Sequence, residues 1–231
     1  MIPLKDMTPR RSVPVVTLLL IAANIIVFVY QLSVGPTGGE LLVRTYGLVP
    51  SKIGLALSGR HYTLEQALLP FFTCMFLHGG FLHIIGNMLF LWVFGGNVED
   101  RLGHAPYLVF YIVCGIASGI SEVAFSWGSH VPSIGASGAI SGVLGAYMVF
   151  FPRSRILTLI PLFIIWFTVR IPALIFIGLW FLAQFLSGVG SLGAVNSGGI
   201  AWWAHVGGFL VGLLWAFAMG RDSRASYYSS A

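Results

Sequence analysis

Apolar residues along this chain gather into runs instead of alternating with polar ones, and run length sorts them. A helix needs about 20 apolar residues to cross a bilayer, whereas about 10 to 14 mark a re-entrant or interfacial piece. By that measure six runs predict membrane-spanning helices, at residues 14–32, 81–98, 104–125, 136–151, 171–187 and 201–219. The run from Ile156 to Val169 is shorter, contains Pro161 and is cut from the next by Arg170-Ile171-Pro172. It is expected to lie at the interface. The first run follows basic residues and holds Ala22-Ala23, as a signal peptide would, but it stays apolar through Tyr30 with no small-residue cleavage site at its end. That predicts an anchor. Residues 33–76 form a long connection with Gly38-Gly39, Pro50, scattered charges and an apolar stretch from Leu64 to Phe76. Connections of that length tend to be functional, and this one is expected to fold against the outer leaflet. The predicted class is an all-α, polytopic membrane bundle. A short cytoplasmic segment (residues 1–12) precedes the membrane domain (13–220), and a polar, Ser-rich tail expected to be disordered follows it (221–231).

Composition agrees with this picture and excludes others. Of the 231 residues, 57% are hydrophobic and 8% charged, and mean hydropathy is +0.91. Soluble domains carry about 25% charged residues, so a cytosolic enzyme, a nucleic-acid reader and a disordered tail are all excluded. The net charge of +5 comes from short basic clusters between apolar runs, so no nucleic-acid partner is implied. With the N-terminus inside, Lys5, Arg10, Arg11, Arg101, Arg153, Arg155, Arg170, Arg221 and Arg224 fall on the cytoplasmic side, against Arg44, Lys52 and Arg60 outside. Positive charge concentrates on cytoplasmic loops, so both termini are expected inside. An N-terminus without an Arg-rich transit peptide favours a prokaryotic plasma membrane over an organelle. Cys74 and Cys114 have no metal or redox spacing and are expected to be structural thiols.

Polar residues inside lipid are functional candidates by default. The spans contain His83 and Asn87, Ser137, and His205. A lone membrane serine commonly bonds back to its own backbone, but Ser137 stands in Gly135-Ala136-Ser137-Gly138 at the start of a short helix. There the amides lack helical partners and small neighbours admit another chain. At about 1.5 Å per residue, Ser137 and His205 each sit roughly 21 Å above the cytoplasmic ends of their spans. His83 reaches a similar level, with Asn87 a turn deeper. Four polar side chains from three helices thus converge at one depth, which isolated structural groups would not do.

These residue types allow acyl transfer. A serine hydroxyl becomes a nucleophile when a neutral imidazole takes its proton, and the same imidazole can return it to the leaving amine. His205 is the candidate base, and His83, Asn87 and the Ser137 amide are candidate donors to an oxyanion. No acidic third member is evident, so a Ser–His dyad is expected. Glu122, the carboxylate inside a predicted span, is expected to bridge helices or snorkel rather than orient the histidine. Gly138 and Gly142, and Gly208 and Gly212, are small-xxx-small pairs that bring helices close. No metal or other cofactor is implied: a zinc protease needs HExxH, and His78 and His83 are not spaced that way. An aspartyl type would need two intramembrane aspartates. A transporter would be expected to show repeats or paired broken helices.

The segment FLHGGFLHIIGNMLFLWVFGGNVEDRLG, from Phe76 to Gly103, resembles the HxxxxHxxxN segment and acidic turn of rhomboid intramembrane serine proteases. Gly135-Ala136-Ser137-Gly138 resembles their GxSG motif, and Ala204-His205-Val206-Gly207-Gly208 their AHxxG motif. The resemblance implies a six-helix core, a Ser137–His205 dyad, oxyanion roles for His83 and Asn87, and supporting roles for His78, Gly135 and Gly138. It further implies a membrane-embedded first loop, a mobile cap before span six, and single-span membrane-protein substrates cleaved in or near their transmembrane segments. The alternative is an inactive rhomboid-like chaperone or binding protein. Two departures stand out. The first loop lacks the Trp-Arg pair many members carry, so its internal bonding must differ. Ser141 stands where some members place a Tyr against the histidine, which leaves the support of His205 open; Ser141 itself, lying deeper, is a decoy nucleophile.

Overall fold

Apolar runs become helices because a helix satisfies its own backbone in lipid. In the computed structural model, which describes residues 1–59, 61–162, 165–192 and 200–220, the runs fold as α1 (Val15–Ser33), α6 (Phe81–Phe90), α8 (His104–Phe125), α9 (Ser137–Phe150), α10 (Ala173–Gly190) and α11 (Trp202–Met219). Arg60, the tail with Arg221, Asp222 and Arg224, residues 163–164 of the expected interfacial run and residues 193–199 of the expected cap lie outside the described residues. The protein is an integral membrane protein. Among the described residues, five helices are long and apolar enough to cross a membrane: Val15–Ser33, Phe81–Leu102, His104–Phe125, Ala173–Gly190 and Trp202–Met219.

The expected second span runs past Val98. A π-helical turn (Leu91–Gly95) joins α6 to α7 (Gly96–Leu102), and the acidic residues that would end a lipid-facing span are absorbed. Glu99 is fully buried, its carboxylate accepting from the Val16 and Thr17 amides at 2.8 Å each, from Thr17 Oγ1 at 2.7 Å, and facing His104 Nδ1 at 2.5 Å. Helix α1 has no side-chain cap of its own, so Glu99 caps it from another helix. Glu99→Ala would strand these donors and is expected to cost about 3 kcal/mol, read as a lowered melting temperature in detergent. An unchanged melt would reject the trans-cap.

Helix α9 has 14 residues, fewer than the five long spans, and is the innermost. Nearly all of it from Gly138 to Phe150 is buried. Around it lie Phe94, Tyr107, Phe110, Tyr111 and Phe209. Its close neighbour is α11, and glycines make the seam: a Cβ at Gly208 would overlap the Gly138 carbonyl, and one at Gly212 the Gly142 carbonyl.

Two segments depart from the helical expectation. Of the run expected as an interfacial piece, residues 156–162 and 165–169 belong to two antiparallel strands, β2 (Arg155–Leu162) and β3 (Ile165–Pro172). The N-terminal β1 (Ile2–Asp6) adds antiparallel to β2, with Asp6 opposite Ile156, giving sheet order β1-β2-β3. Ile156 and Thr158 are buried while Arg155 is exposed, a period-2 pattern that β-branched residues favour. The N-terminal segment is therefore structured. Thr8 Oγ1 bonds Ser154 Oγ at 2.7 Å, and Asp6 accepts from the Thr8 amide at 2.8 Å and from Asn97. Burial pushes the Asp6 carboxyl above the usual carboxylate range. The membrane bundle is all-α as expected, with this small sheet added at one end.

The first loop folds into short helices: α2 (Gly35–Tyr46), α3 (Pro50–Leu57), α4 (Leu64–Leu68), α5 (Pro70–Thr73) and a 3-10 turn (Cys74–Phe76). Its bonding does differ from a Trp-Arg pair. Leu48 and Ser133 form an antiparallel bridge, Thr73 Oγ1 donates to the Tyr46 carbonyl at 2.7 Å, and Thr63 and Gln66 form a capping box.

Candidate active site

The site is assembled where three helix ends meet opposite the sheet. Gly135 has φ +119, a conformation L side chains rarely adopt, and a Cβ there would run into His83 and Asn87. Glycine thus lets the chain pass against the polar face of α6 before turning into α9. The Gly135 amide donates to the Cys74 carbonyl at 2.9 Å, which anchors the turn to the first loop. Ser137 is the first residue of α9, and His205 lies in the first turn of α11.

His205 Nε2 lies 2.8 Å from Ser137 Oγ. Both residues line a cavity of about 710 Å³ that His83, Asn87, Trp180, Gln184 and Trp202 also line. His83 Nδ1 accepts from the Gly79 amide at 3.3 Å, so a neutral His83 ring carries its proton on Nε2. Asn87 Nδ2 lies 3.0 Å from His78 Nε2. An amide nitrogen has two hydrogens, so one remains for the cavity. His78 is buried, and its backbone is gripped by Gln31 of α1, whose Oε1 accepts from the His78 amide at 3.0 Å and whose Nε2 donates to the His78 carbonyl at 3.3 Å.

Ser137, His205, His83 and Asn87 therefore face one space, while His78 stands behind Asn87. Gly138 faces away from the cavity, and a Cβ on it would overlap the Ser118 side chain of α8. Ser141 is fully buried and its hydroxyl donates back to the Ser137 carbonyl at 2.6 Å. Glu122 does not touch His205. Its carboxylate accepts from Ser126 Oγ at 2.9 Å and from the Ala204 amide at 3.1 Å, so it bridges α8 to the start of α11. Cys74 and Cys114 are free and buried. Among the described residues no group of three His, Cys, Asp or Glu is placed to hold a metal ion.

Sequence reasoning missed what holds His205. Gln184 of α10 places its Oε1 2.6 Å from His205 Nδ1. The Trp180 ring lies across the imidazole at 6.0 Å between centroids, and Trp202 meets it edge-on at 6.3 Å. The available signal was a single amide inside an otherwise apolar span, the same signal that singles out Asn87.

The sequence profile of the Rhomboid domain matches residues 65–222. The chain belongs to the rhomboid family. Rhomboid protease GluP of Bacillus subtilis is 32% identical over 215 residues, covering 93% of this chain and 36% of that protein. Rhomboid protease GlpG of Yersinia pestis is 32% identical over 158 residues, 64% of this chain and 47% of that protein. Mitochondrial Rhomboid protein 1 of Saccharomyces cerevisiae is 31% identical over 148 residues, 62% of this chain and 39% of that protein. The chain thus spans less than half the length of these relatives. Within this rhomboid fold Ser141 offers no ring to the histidine, and Trp180, Trp202 and Gln184 occupy its surroundings instead.

Proposed function

We propose that this rhomboid protein is an intramembrane serine protease that uses Ser137 and His205 as a dyad on peptide bonds in or near transmembrane segments. The observation that carries the reading is the 2.8 Å separation of Ser137 Oγ and His205 Nε2 in a cavity shared with His83 and Asn87. His205 Nε2 takes the hydroxyl proton as Oγ attacks the scissile carbonyl carbon. The carbonyl oxygen becomes an oxyanion that accepts from His83 Nε2–H, the free Asn87 N–H and the Ser137 amide. As the first residue of its helix, Ser137 has no helical acceptor for that amide. The intermediate collapses as the C–N bond breaks and the imidazolium gives its proton to the leaving amine. Water, deprotonated by the same histidine, then hydrolyses the Ser137 ester.

Substrates of this reading are single-span membrane proteins held in the bilayer, and residues 13–220 act as the protease domain. Charge supports an orientation with both termini cytoplasmic and the site toward the outside; the membrane of this reading is a prokaryotic plasma membrane. Lys5, Arg10, Arg11, Arg101, Arg153, Arg155 and Arg170 cluster toward the sheet end of the chain's helices, and Arg44 and Lys52 lie in the first loop.

A fluorophosphonate probe applied to the full chain in liposomes tests the chemistry without a known substrate. Ser137 is expected to be labelled, with labelling at least about 10²-fold slower in His205→Ala. A folded protein whose Ser137 stays unlabelled would reject the enzyme and leave the inactive binding protein.

A further inference from the structure

The proposed dyad contains a base whose second nitrogen must be accounted for. A neutral imidazole carries one proton, on Nδ1 or on Nε2, and only the Nδ1–H form leaves a lone pair on Nε2 for the Ser137 hydroxyl. In a triad, a carboxylate selects that form. Here a charged carboxylate at membrane depth would be costly, and the residue in that place is the neutral amide of Gln184, with Oε1 2.6 Å from Nδ1.

We propose that Gln184 is the positioning residue of the base: its amide oxygen holds His205 as the Nδ1–H tautomer, turned so that Nε2 meets Ser137. This inference rests on the function proposed above and deepens it. The ring is fixed on three sides, by the Gln184 oxygen, by Trp180 one helical turn earlier on α10, and by Trp202 edge-on from its own helix. An amide oxygen accepts a hydrogen bond and also stabilises the imidazolium that forms when Ser137 is deprotonated, though less than a full charge would. The reversed amide would do the opposite: its NH₂ would donate to Nδ1, forcing the proton onto Nε2 and leaving Ser137 without a base.

The other groups that face His205 do not substitute. His83 on α6 lies across the cavity with its Nδ1 engaged by Gly79. On α9 the facing group is Ser137 itself, and from α8 Glu122 is bound to Ser126 and the Ala204 amide.

The test compares wild type, Gln184→Leu and Gln184→Glu as full chains in liposomes, by kinetics against pH on a transmembrane substrate and by ¹⁵N NMR of the His205 ring. Gln184→Leu is expected to lower kcat by about 10²-fold with KM little changed, less than the about 10⁴-fold that loss of the correct tautomer costs in a carboxylate triad. Its His205 spectrum should shift from the Nδ1–H toward the Nε2–H form. Gln184→Glu keeps an acceptor of the same length. It should recover most of kcat and move the acid limb of the pH profile to higher pH, because it places a negative charge beside the imidazolium. A Gln184→Leu variant with wild-type kcat, or a wild-type His205 already in the Nε2–H form, would overturn the proposal. The NMR readout needs no activity, so an inactive wild type would count against the protease reading while the tautomer still decides the role of Gln184.

Discussion

Ser137→Ala is expected to abolish cleavage of a transmembrane substrate, with a loss of at least about 10⁴-fold in kcat, while the protein stays folded. The hydroxyl is the one atom the mechanism needs as nucleophile, and its recorded side-chain contact is with His205 Nε2 at 2.8 Å. Removing it takes a partner only from His205 Nε2, which borders a cavity and not packed core. Ser141→Ala is the control on the same helix. Its hydroxyl is bonded back to the Ser137 carbonyl at 2.6 Å, a local bond whose loss costs about 1 kcal/mol, and cleavage should stay within a few-fold of wild type. Gel assays of both variants in one liposome preparation decide the matter: undiminished cleavage by Ser137→Ala would remove the dyad from consideration.

Much of this site was legible because membrane depth is a linear function of residue count in a helix. Counting along separate spans puts Ser137, His205 and His83 on one level, and the structure brings them to one cavity. The helix pattern was equally legible: the third span, residues 104–125, coincides with α8 (His104–Phe125), because Gly103 with φ +86 stops the preceding helix sharply. What failed was any inference that required knowing who sits opposite. The second span is expected to end at Val98, before the charged Glu99-Asp100-Arg101, yet Glu99 is buried as the cap of α1. Strands β2 and β3 were missed because residues 155–172 read as a short, nearly continuous apolar run, which periodicity alone does not tell from an interfacial or buried helix; the pairing of β1 with β2 spans about 150 residues, which no local pattern encodes.

Glu99 and Glu122 show one device used twice. Neither α1 nor α11 has a side-chain cap of its own, and in each case a glutamate from another helix accepts from the first-turn amides. For α11 the capped amide belongs to Ala204, next to His205, so Glu122 fixes the helix that carries the base without touching the imidazole. The same reasoning applies to Gln184. Its residue type in an apolar span was visible, but that its oxygen meets Nδ1 depends on the docking of α10 against α11.

Gly212→Val is expected to damage both stability and catalysis, because the seam it sits in sets the distance between nucleophile and base. A Cβ at Gly212 would overlap the carbonyl and α-carbon of Gly142, and these are backbone atoms that no rotamer change can move aside. Helices α9 and α11 must then separate. Overpacking of this kind costs about 3 kcal/mol, and a displacement of about 1 Å at the reacting groups costs roughly 10²-fold in rate. Because Ser137 and His205 sit at the same end of these two helices, the separation falls directly on the 2.8 Å contact. Gly178→Ala provides the contrast. Nothing lies within 4 Å of a Cβ at Gly178 on α10, and alanine in a helix interior gains up to about 1 kcal/mol over glycine. Unfolding in detergent, together with the rate of fluorophosphonate labelling, should therefore separate the two variants. A Gly212→Val protein that melts and labels like wild type would show that the glycine seam does not set the geometry of the site.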